Sequence, residues 1–251
     1  MSQVAATCLI IDTRKLAALA VDGPALKVTM KTQSPRLFPF RRLSRIHVVG
    51  SIRDGVDTLL HCAEQQIPVA FFTVKGKLRC QIYYPVYESS ILSHWLEHVD
   101  FDIEIRQIYD DWLCHQMLNV VSIIGFNEGA RERRLQLLDE RLRKGCKQYL
   151  TKQEFEAAME WLSGMLSAHL SQLIVEYGLA NQSRGKRRLM ADINPICETW
   201  LMFCLGNQAC KRRLRIHVQS MSDLYQQHHD ELDYFVRRML TQLATRLESI
   251  V

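Results

Sequence analysis

The hydrophobic pattern of this chain changes period at Pro85, and the change demands two kinds of architecture in one polypeptide. Before Pro85 the apolar residues come in short β-like runs: TCLIIDT from Thr7, KLAALAV from Lys15 and ALKVTMK from Ala25. Asp22-Gly23-Pro24 separates the last two as a turn. A loop with Pro35 and Pro39 follows, and then RIHVVG, a strand rich in β-branched residues. Asp54 is placed to cap a helix through Gln66, with Val56, Leu59, Leu60 and Ala63 on one face. Pro68 stops that helix ahead of the strand VAFFTV, and Lys75-Gly76-Lys77 turns the chain into LRCQIYY.

After Pro85 the period is helical. Helices are expected near 88–98, 103–124, 128–144 and 152–177, the last with a stripe of Phe155, Met159, Leu162, Leu166, Leu170, Leu173 and Tyr177 and a stop at Gly178. Asn194 and Pro195 read as the N-cap and first residue of a helix to about 205. A long last helix is expected over about 223–248. The fold class is therefore α+β: a small β-rich N-terminal domain (1–85), a linker helix (86–102) and an all-α domain (103–251).

With 251 residues, 47% of them hydrophobic, the chain can build these two cores. It holds no apolar run near the ~20 residues that span a bilayer, and the start MSQVAATCLIIDTRK has no basic segment and carries Asp12 within its apolar stretch, unlike a secretory signal. Eight scattered cysteines form no CxxC, which points to reduced thiols, a cytoplasmic setting and neither a disulfide framework nor a structural zinc.

Charge is uneven. Residues 181–217 carry eight Lys/Arg and two acids, a net of +6, which leaves −1 for the rest of a chain whose total is +5. Such a field favours a polyanion, above all nucleic acid; the plainer reading is a solvated connection between helices. Arg184, Lys186, Arg187 and Arg188, then Lys211, Arg212, Arg213 and Arg215, form the dense part. Arg131 and Arg134 extend it along a helix whose Glu132, Asp139 and Glu140 offset the charge by i,i+3/4 pairing. Asp192 lies just beyond four of these cations, as a metal carboxylate beside bound phosphate would. Glu128 either caps the start of the arginine-rich helix or is a second metal carboxylate facing Asp192.

Other motifs are weaker. His94-Trp95-Leu96-Glu97-His98 fits HxxEH, which puts two imidazoles on one helix face as in inverted zincins, but no third ligand helix follows; an amphipathic helix with exposed imidazoles accounts for it equally. Of His228 and His229, one ring is expected to pack and the other to be solvated. GxxxxGK[ST], GxGxxG and GxSxG are missing, and Gly50–Gly55 fits no phosphate-cradling loop, so nucleotide hydrolysis and lipase-like chemistry lack support.

The run PFRRLSRIHVVGSIRDGVDTLLHCAEQQIPVAFFTVKGKL, Pro39–Leu78, resembles the CRISPR-associated integrase (Cas-one) family, in which an SRIxVxG strand precedes a helix ending in CAxxxIPVxF and a glycine hairpin. The helical half resembles it more weakly, through EYGL, a loop with Gly185, LMADI and a long terminal helix. The resemblance implies a dimeric, Mg²⁺- or Mn²⁺-dependent DNA integrase of CRISPR adaptation, paired with a small ferredoxin-like protein. It maps Asp192 onto the first acid of the family pattern LALDLMEEFRP and Glu128, in GxxEG, onto the family glutamate. Pro195 stands where the second acid belongs, and Ala180, Asn181, Gln182 and Ser183 fill the loop that carries the family histidine, with Gln182 as its stand-in. With the basic residues kept and hard-metal ligands reduced, the expectation is a DNA-binding adaptation subunit, as homodimer or with an integrase paralogue, whose catalysis is weakened or lost. An active integrase using Glu128, Asp192 and a further ligand such as Glu198 or Gln182, and a helical interaction protein unrelated to DNA, are the alternatives.

Overall fold

The computed structural model describes residues 7–84, 90–126, 128, 133–179 and 184–249, without the side chains of Ile91, Arg184 and Arg187. Two compact units divide the chain, Met1–Pro85 and Val86–Val251. A β-rich unit is followed by an all-helical one, the α+β class expected from the change of period.

The first unit contains two sheets. Strands β1 (Thr7–Asp12), β5 (Leu43–Val49), β6 (Val69–Phe72) and β7 (Leu78–Ile82) form one in the order β1-β5-β6-β7, with β1, β5 and β6 parallel and β7 antiparallel to β6. Helix α1 (Val56–Glu64) makes the crossover from β5 to β6. The near-continuous burial of β5 is that of a central strand covered on both faces. Strands β2 (Leu16–Asp22), β3 (Ala25–Met30) and β4 (Arg36–Pro39) form an antiparallel sheet. Leu26, Val28, Ile46, Val48 and Leu59 share one core beneath them. Gly50 has φ +97°, and a Cβ there would lie 2.5 Å from Thr13 Oγ1, so only glycine fits after β5.

Two expectations fail in this unit. Residues 36–39 are a strand and not loop: β4 is an edge strand, where proline costs no ladder bond on its open side. Asp54 does not cap α1; Gly55, at φ +88°, occupies the cap position and no side chain bonds there.

The second unit is built on α6 (Arg184–Lys211), which packs against α2 (Ile91–His98), α3 (Ile103–Ile124), α4 (Arg134–Cys146), α5 (Lys152–Glu176) and α7 (Val218–Glu248). Helix α5 is buried on most sides over Trp161–Val175, beyond the single stripe expected, because α6 and α7 both pack on it. Asp102 caps α3 through two backbone amides, and Thr151 with Glu154 forms a capping box on α5. Thr151→Ala should cost about 1 kcal/mol, read as a lower urea midpoint. All eight cysteines are free thiols, and Cys62, Cys146, Cys197 and Cys204 are buried. Among the described residues no helix is long and apolar enough to cross a membrane.

The largest departure is the start of α6. The expected loop before Asn194 is helical from Arg184 on, and Pro195 lies inside the helix. Proline there removes the amide that Ala191 O would accept and crowds that carbonyl. Both Ala191 and Pro195 are exposed, so water can take the carbonyl, and Thr199 Oγ1 donates back to Pro195 O at 2.9 Å.

Candidate functional site

Because α6 is helical at its start, Arg188 and Asp192 lie one turn apart on one face. Arg188 is held by Asp100, with Asp110 at 3.6 Å and Asp192 at 3.8 Å, and its guanidinium lies 4.9 Å from the centre of the Tyr109 ring. Tyr109 is fully buried on α3, and its hydroxyl donates to Asp192 Oδ2 at 2.7 Å. Burial first, then this bond to a carboxylate, pushes the phenol far above its usual pKa, so the proton stays on oxygen and Tyr109 remains a donor. Tyr109→Phe would remove that donor; Asp192 is 29% exposed, so water can partly replace it and the expected loss is about 1 kcal/mol by urea denaturation.

Lys186 is only 6% exposed, and burial lowers its pKa. Lys186 and Arg188 were expected to display charge to a polyanion; they are instead turned into the unit, one by burial and the other by three carboxylates. The side chains of Arg184 and Arg187, and Arg131 and Gln182 entirely, lie outside the described residues. Arg134 is half-buried at the start of α4.

Lys211, Arg212, Arg213 and Arg215 are all exposed. Lys211 ends α6, and the other three ride on the α6–α7 connection, which buried Leu214 pegs to the unit and which the bonds Arg212 N to Gln208 O and His217 N to Arg215 O shape. Among the described side chains of the basic segment, these four meet solvent as one cluster in sequence.

Glu128 is exposed and accepts from Arg141 at 2.5 Å; Arg141 also lies over the Phe126 ring at 5.6 Å. Arg143 pairs with Asp139 at 2.6 Å, as the i,i+4 offset anticipated. Glu128 and Asp192, the two expected metal carboxylates, thus have different partners. Near Asp192, Asn194 donates to Glu198 at 3.1 Å. His94 and His98 are 4.6 Å apart between ring centres, with His98 Nδ1 2.8 Å from His94 O.

Among the described residues, one group of three side chains is close enough to hold a metal, and it is none of these: His169, His229 and Asp233, with donor atoms all within 4.8 Å of one another. His169 alone in the apolar stripe of α5 gave no sequence signal. His229 and Asp233 are four apart on α7, a one-face spacing that the sequence does carry, beside the more conspicuous His228-His229 pair.

A sequence model described as CRISPR associated protein Cas1 matches residues 10–103, less than half of the chain. No curated protein matches the sequence. Solved structures match over almost the whole length. TM1797, a CAS1 protein from Thermotoga maritima, is 11% identical, with a TM-score of 0.68 and 96% of each chain covered. A casposase bound to integration product is 11% identical, with a TM-score of 0.63 over 88% of this chain and 82% of that one. At such identities the likeness is one of fold. The chain therefore has the fold of these two proteins and, over residues 10–103, a sequence matched by the Cas1 family model.

Proposed function

We propose that this protein is a DNA-holding subunit of a spacer-integration complex in CRISPR adaptation, with integrase chemistry weakened or lost. The observation that carries the reading is the engagement of the two acids. Asp192 accepts from Tyr109 at 2.7 Å beside Arg188, and Glu128 accepts from Arg141 at 2.5 Å. Mg²⁺ or Mn²⁺ needs carboxylate oxygens in near-octahedral geometry alongside substrate phosphates. The two acids are held by different partners, Pro195 offers no side-chain oxygen, and among the described residues the group of three side chains close enough to hold a metal includes neither acid. These residues as arranged do not fit a hard divalent ion, and no strand-transfer step is routed through one. The exposed cations Lys211, Arg212, Arg213 and Arg215 favour phosphate binding.

Duplex DNA is the expected ligand. The protein would act as a homodimer, or beside an integrase paralogue that supplies the chemistry, with a small ferredoxin-like protein as further partner. Support comes from the family match and from the likeness in fold to a casposase bound to integration product.

The test is a strand-transfer assay with Mn²⁺, using a duplex with free 3′-hydroxyls and a plasmid carrying a CRISPR repeat. Salt-dependent binding without joined product is expected. Joined product that disappears in Asp192→Ala would establish an active integrase instead. Absent or salt-insensitive binding would leave a helical interaction protein.

A further inference from the structure

We propose that His169, His229 and Asp233, a group that includes neither Asp192 nor Glu128, bind a zinc-class divalent transition-metal ion that ties α5 to α7. The three side chains offer one donor atom each within 4.8 Å of one another. Four-coordinate zinc with nitrogen and oxygen ligands at about 2.0–2.2 Å sets its donors roughly 3.3 Å apart. Small side-chain rotations therefore close the cluster around an ion. Two imidazoles with one carboxylate suit Zn²⁺, Co²⁺ or Ni²⁺ better than Mg²⁺, which takes oxygen donors.

The surrounding bonds prepare these ligands. His169 is 1% exposed in its side chain, with Nε2 2.9 Å from Asp233 Oδ1 and Nδ1 2.9 Å from the Tyr225 hydroxyl. A hydroxyl both donates and accepts. Tyr225 can give its proton to Nδ1 while Nε2–H bonds Asp233, or accept from Nδ1–H while the Nε2 lone pair faces a metal. The second state is the usual one behind a metal-bound histidine, whose remaining N–H is held by an acceptor.

Asp233 is oriented in the same way. Arg237 Nε donates to its Oδ2 at 2.7 Å, which leaves Oδ1 toward His169, and Glu176 takes another nitrogen of Arg237 at 2.8 Å. Glu176 offsets the guanidinium charge that would otherwise repel a cation. His229 stacks on His169, ring centres 4.4 Å apart and planes 21° from parallel. His229 is 12% and Asp233 25% exposed in the side chain, so an ion and a completing water can enter from their side. The sequence argued for no structural zinc because no CxxC is present; these ligands are nitrogen and oxygen donors from two helices far apart in the chain.

The test is titration of the metal-stripped full chain with Zn²⁺ alone, followed by calorimetry and by the histidine ring signals in NMR. One equivalent should bind, with the rings of His169 and His229 shifting together. His229→Ala and Asp233→Asn should each weaken binding at least tenfold. Tyr225→Phe should retain the site with affinity about tenfold lower. Co²⁺ in the wild-type chain should give the visible bands of a four-coordinate site, a readout that needs no variant. Absence of a stoichiometric equivalent, or binding lost on replacing His94 and His98 and kept on replacing His229, would overturn the proposal. Strand-transfer results leave it untouched.

Discussion

Neutralising Lys211, Arg212, Arg213 and Arg215 together, each to glutamine, should flatten the salt dependence of duplex DNA binding. Each phosphate contact adds about 0.9 to the slope of log affinity against log salt, so four contacts account for about 3.6. Between 50 and 200 mM salt, the wild type should then lose roughly a hundredfold more affinity than the variant. The four side chains are exposed at the end of α6 and on a connection whose backbone is fixed by Leu214 and by bonds at Arg212 and His217. They can meet a phosphate backbone without the unit rearranging. Arg188 makes the contrast: its charge is spent on Asp100, Asp110 and Asp192, so Arg188→Gln should lower stability and leave the salt slope as it was. Fluorescence anisotropy over a salt series separates these outcomes. Equal slopes for wild type and the fourfold variant would place the DNA contact elsewhere, or nowhere on this chain.

That contrast also marks how far the amino-acid sequence could be read. A cationic run is visible in it, but which members face solvent depends on helix phase, and the Asn194-Pro195 start signal conceals that phase because α6 begins at Arg184. As a loop, residues 184–193 would leave all four cations without a set direction. As a helix they acquire directions: position 186 turns inward, and position 188 turns toward acids on α3 and at Asp100 that no local pattern reveals. The long periodic elements were more legible. Ile103–Ile124 has the bounds its pattern implied, because Asp102 caps it and Gly125, at φ +78°, ends it. The hidden elements were those in which tertiary contact overrides a local signal. β4 is flanked by prolines yet completes a sheet by pairing with β3. His169, one imidazole in an apolar helix, becomes chemically distinctive only when α7 lays Tyr225, His229 and Asp233 against it.

Pro195 is where the two readings of α6 can be told apart by measurement. Asn194-Pro195 is a strong start signal, since proline at the first helical position gives up an amide that would be unpaired anyway. In the structure the helix already runs from Arg184, so Pro195 is interior and the signal is misleading. Interior proline is about 3 kcal/mol less favourable than alanine, through the missing amide and the crowding of the preceding turn. Pro195→Ala should restore the bond to Ala191 O and stabilise the helical unit by about 1–3 kcal/mol, the lower end applying where exposed water already serves that carbonyl. Urea denaturation should show a higher midpoint with an unchanged slope. Were the helix to begin at Asn194, the same substitution would gain nothing, and an unchanged midpoint would return residues 184–193 to a loop. That outcome would also dissolve the i,i+4 relation of Arg188 to Asp192.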